Sequence, residues 1–150
     1  MTTKPALAAV PIRSTADLTA RWTTLLDPPV FGARSLWLMW LDTDGRMLPV
    51  VIPVDDVPVV PDRALTAGLL SVHEAVAEEH LRGDAHLALA LCRPGRPETT
   101  GDDESWTEEL RAALDDAIDG TWSLHVAAAG SVSPLVSPLV SPPDPAWSRR

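Results

Sequence analysis

Residues 87–106, LALALCRPGRPETTGDDESW, decide how the fold is read. A short apolar strand runs into a loop carrying Arg93, Pro94, Gly95, Arg96 and Pro97. The loop then runs into the acids Asp102, Asp103 and Glu104, placed as at a helix start, where carboxylates face unpaired backbone amides. In many enzymes a strand hands its chemistry to the next helix at such a junction. This loop offers Cys92, two arginines and several carboxylates, but no histidine.

Working outward, an apolar run at 35–41, SLWLMWL, is too short for a typical helix and suits a strand buried on both faces. The turn Asp42-Thr43-Asp44-Gly45 returns the chain into 46–54, completing a β-hairpin. Pro49 and Pro53 lack amide protons, so the second strand belongs at an edge or carries a bulge. A helix is expected over 14–26, capped by Ser14 or Thr15, with Leu18, Trp22, Leu25 and Leu26 on one face. Asp62 caps another helix running to about residue 81, with Leu65, Leu69, Val72 and Val76 as its buried stripe. Strands follow at 85–91 and 121–128, around a helix from about Asp103 to Ile118 that turns Trp106, Leu110 and Leu114 inward. The expected fold is therefore α/β: a single mixed sheet of four or more strands with helices packed on it. It spans 13–130, between a flexible start (1–12) and a Ser/Pro-rich extended or disordered tail (131–150).

Composition narrows the function. The chain has 150 residues and a net charge of −9, enough for one domain with a real core. Nine acids lie between Glu98 and Asp119 against one base, Arg111. Such a face repels phosphate backbones, so nucleic acid is not expected there; it reads as a solvated acidic face, or as a docking surface if the expected protein partner is basic. No apolar run approaches a membrane span and no export signal is evident, so the expected setting is the cytoplasm. Cys92 is the single cysteine, which excludes an intrachain disulfide and a Cys-based zinc cluster. It reads as a small strand-end residue; the thiol beside Arg93 is the alternative. His73 and His80 stand two helical turns apart, too far for one metal ion, and His86 and His125 belong to strands. There is no Gly-rich phosphate loop and no Gly-x-Ser-x-Gly elbow.

The element order, with SLWLMWLDTDGR, VVPDRAL and LHVAAAG, resembles the RadC-like branch of the JAB/MPN (JAMM) family over roughly residues 14–136. That family works through zinc held by a His-x-His-Pro-Ser motif and a following Asp, with an upstream Glu as general acid/base. The resemblance places the two histidines at Leu91 and Arg93, keeps the proline as Pro94, and puts Gly95 at the serine. It puts Glu104 (or Asp103, one residue earlier) at the aspartate, and the upstream Glu near Arg34 and Ser35. His125 matches the histidine of the late strand. The resemblance thus implies a scaffold without its ligands: no cofactor, no catalytic residue, and an interaction or regulatory module. Arg93, Arg96 and Cys92 are its candidate binding residues, and Arg93 is expected to pair with Glu104. Two alternatives stand beside it. One is a hydrolase using Cys92 or a metal on His125, Asp102 and Asp103; the other is a DNA-repair accessory factor.

Overall fold

The structure, a computed structural model, describes residues 10–80 and 85–137. Three helices and five strands follow in the order α1 (Thr15–Leu25), β1 (Ser35–Leu41), β2 (Met47–Asp55), α2 (Arg63–His80), β3 (His86–Cys92), α3 (Gly101–Leu114), β4 (Thr121–Ala128) and β5 (Ser131–Val136). Side chains fix the helix starts. The Ser14 hydroxyl accepts from the Asp17 amide and caps α1, and Asp62 Oδ1 accepts from the Leu65 amide at the start of α2. Thr100 and Asp103 form a reciprocal capping box at α3, which therefore begins two residues before the expected Asp103.

One mixed sheet results, ordered β2-β1-β3-β4-β5. β3 and β4 run parallel, with α3 as their crossover; the other neighbours are antiparallel. β2 is an edge strand, and its register slips opposite Met39–Leu41, around Pro49, while Pro53 pairs in register with Trp37 on the outer edge.

The far edge differs from expectation. Ser131–Val136, assigned to the tail, pairs with β4 through a two-residue turn in which Ala129 (φ 51°) and Gly130 (φ 83°) are both left-handed. Pro134 is compatible because this strand is also an edge, and the ladder is irregular where Pro134 meets His125. The stretch is extended, but it belongs to the sheet; the tail expectation for 138–150 lies outside the described residues. At the other end Ile12 is buried, and its amide donates to the Gly45 carbonyl at 2.7 Å. The domain therefore includes Ile12, ahead of the expected start at 13, whereas 1–9 lie outside the described residues.

Alternation along β3 gives the sheet two unlike faces. Leu87, Leu89 and Leu91 point with Leu36, Leu38, Trp40 and Leu124 into a thick core under α2 and α3. His86, Ala88, Ala90 and Cys92 point the other way, with Met39 and Ala127, toward α1. The small side chains there leave room for Leu18 and Trp22 of α1 and its C-cap residue Leu26 to fill the layer.

Candidate functional site

Arg93 stands where β3 leaves the sheet; its amide extends the parallel ladder by donating to the Ala127 carbonyl at 3.1 Å. Its side chain is 2% exposed, and that of its partner Asp103 is 0% exposed. Nε donates to Asp103 Oδ1 at 2.8 Å and Nη2 to Asp103 Oδ2 at 2.7 Å, a two-pronged pair. Nη1 donates to the carbonyls of Pro94 (3.1 Å) and Arg96 (2.7 Å), and Nη2 also to that of Glu98 (3.0 Å). A guanidinium has five N–H bonds, and each has an acceptor. Asp103 Oδ2 additionally accepts from the Thr100 amide, so one ion pair ties the loop, the end of β3 and the cap of α3. Burial pushes the Asp103 carboxyl up, but hydrogen bonds from Arg93 and Thr100 outweigh it and hold the group below its ordinary value.

This settles the pairing expected of Arg93: the partner is Asp103, and Glu104 is exposed. The first turn of α3 turns Asp103 inward with Trp106, and Glu104 points out. Arg93 is also closed to a ligand as a surface residue, because the loop consumes all its donors. Of the candidate binding residues, Arg96 is exposed, while Cys92 is fully buried. Burial pushes the Cys92 thiol up to about 12, only partly opposed by a hydrogen bond with Ser35. That is the opposite of an activated thiol.

The positions that the resemblance assigns to zinc do not fit the ion. Leu91 lies in the core under α2 and α3, Arg93 brings a positive charge, and both oxygens of Asp103 are engaged. The set His125, Asp102 and Asp103 is not brought together either. His125 reaches α1, where its Nε2 lies 2.7 Å from Thr19 Oγ1, and Asp102 faces Arg34 at 4.0 Å. Among the described residues no three His, Cys, Asp or Glu side chains converge as a metal set.

Two features escape the sequence. Under α1, His86 Nδ1 lies 2.7 Å from Thr121 Oγ1 and its Nε2 lies 2.8 Å from Ser123 Oγ. His125 Nδ1 and Trp22 Nε1 are buried there without hydrogen-bond partners among the described residues. Burial lowers both histidines to about 4, and at His86 the nearby His125 adds to the effect, so both rings are neutral at pH 7. His86 Nε2 facing Ser123 was hidden because the parallel register, not sequence distance, makes the two neighbours.

The second feature is Arg34, one residue before the Ser35–Cys92 register pair and so beside Arg93 at the same sheet end. Its side chain is 19% exposed; Nη1 is wholly buried and has no hydrogen-bond partner among the described residues. Asp102 at 4.0 Å is beyond hydrogen-bond reach. No family model matches the chain, and no curated protein matches it.

Proposed function

We propose that this chain is a non-catalytic domain of RadC-like JAB build, acting as an interaction or regulatory module. One observation carries the reading: the loop between β3 and α3, where the resemblance places a metal, is held shut by Arg93 and Asp103 with every guanidinium donor used within the chain. A fixed positive charge there supplies the carboxylate's counter-charge. The element order of the α/β sheet and the retained Pro94 accord with the same reading. The partner surface is the outer side of α3 and its end, where Glu104, Glu108, Glu109, Asp115 and Asp116 are exposed beside Arg111. Its charge suits a basic protein segment and opposes nucleic acid. The test is elemental analysis of protein purified without chelator, followed by zinc titration. Zinc well below one equivalent, with no saturable uptake, is expected; one tightly held equivalent overturns the proposal.

A further inference from the structure

A guanidinium that is four-fifths covered and makes no hydrogen bond among the described residues is an anomaly. Covered polar groups are nearly always paired, and an unmet charge-bearing donor costs more than a neutral one. Arg34 is in that position, with Nη1 sealed from solvent. It also walls a pocket of about 320 Å³ at the start of β1, together with Phe31, Ser35, Asp55 and Asp56. Asp56 holds φ 58°, a left-handed backbone that a non-glycine residue adopts at a cost.

We propose that this pocket binds a small zwitterion of the α-amino-acid class, with its carboxylate on Arg34 and its ammonium toward Asp55 and Asp56. The fork of a guanidinium matches a carboxylate in two bonds, and Arg34 is the one cation among the described residues lining the pocket. Asp55 and Asp56 line the pocket and Asp102 lies 4.0 Å from Arg34, so a dianion such as phosphate meets net repulsion, whereas an ammonium is welcomed. Phe31 supplies an apolar wall for the ligand's side chain, and the volume suits a molecule of amino-acid size. A larger concavity of about 500 Å³ lies at the other end of the sheet beside His86 and Thr121. Both nitrogens of His86 there are already bonded within the chain. The inference goes beyond the interaction role and stands whether or not the module reading holds.

The experiment is an amide and arginine side-chain NMR titration of the full chain with free L-amino acids, each taken to about 10 mM. Saturable shifts of Arg34, Ser35 and Asp56 are expected with at least one apolar amino acid. Its N-acetyl and its carboxamide derivatives should each bind at least about tenfold more weakly, roughly one charged contact. Arg34→Met should abolish the shifts, and Arg34→Lys, which keeps the charge and loses the fork, should weaken them about tenfold. Absence of saturable shifts with every amino acid overturns the proposal. So does equal binding of the N-acetyl form, equally strong shifts with inorganic phosphate, or binding that survives in Arg34→Met.

Discussion

Arg93 and Arg34 flank the same register pair, Ser35–Cys92, on neighbouring strands, yet their environments are opposite. Arg93 is the more deeply buried and has five acceptors; Arg34 is less buried and has none among the described residues. Burial alone therefore does not decide what a cation does in a fold. What decides it is whether the chain itself closes the hydrogen-bond set. At Arg93 the loop is short, rich in turn residues and able to fold its carbonyls back; Gly95, with φ 98°, makes the reversal possible. Arg34 precedes a strand, and its nearest carboxylate stays 4.0 Å away.

The comparison breaks most visibly at Arg93. Arg93→Met strands the Asp103 carboxylate in the interior and should cost about 3–5 kcal/mol in urea unfolding. Arg93→Met combined with Asp103→Leu should recover much of that loss, because no charge is then left unpaired. Additive single effects would show that the pair is not a unit.

Acid separates the lock from the α1 face. His86 and His125 titrate near 4 in the folded chain, below the ordinary 6.5. Protons therefore favour the unfolded state: stability is whole above pH 6.5 and falls as pH drops toward 4. At pH 5 the loss should be about 2 kcal/mol for each histidine. Asp103 is held below its ordinary value, so its contribution survives at pH 5 and is lost only at lower pH. Urea unfolding of the wild type and His125→Phe at pH 7 and 5 checks this, the variant showing the shallower decline.

Smaller effects follow. Thr100→Ala removes one half of the capping box and should cost about 1 kcal/mol. Arg34→Met removes an unmet donor and should stay within about 0.5 kcal/mol of the wild type, in contrast to Arg93→Met. A loss as large as that at Arg93 would mean that the Asp102 contact, or a hydrogen bond, holds Arg34 more tightly than its 4.0 Å separation implies.

Much of this was legible in the sequence, for identifiable reasons. The apolar runs of β1 and β3 and the Pro-bearing edge strand β2 depend on local pattern, and they stand as read; the α2 stripe holds at Leu69 and Val76, but Leu65 and Val72 are only partly buried, and Thr66 and His73 are buried with them. The lock was legible as a buried arginine with an acidic partner, but the choice of Asp103 over Glu104 rested on where α3 begins, two residues earlier than expected. β5 was missed because proline density argues against central strands and is silent on edges. Arg34's lack of hydrogen-bond partners among the described residues and the His86–Ser123 contact arise from register across strands, which no local pattern encodes.

The most direct measurement is an arginine-selective ¹⁵N NMR spectrum with hydrogen exchange on the ligand-free chain. Bonds to all five donors should slow both rotation and exchange in Arg93, giving resolved Nη signals and a protected Nε–H, while Arg34 should show averaged signals and fast exchange. Equal protection of the two, or an averaged and unprotected Arg93, would contradict the account.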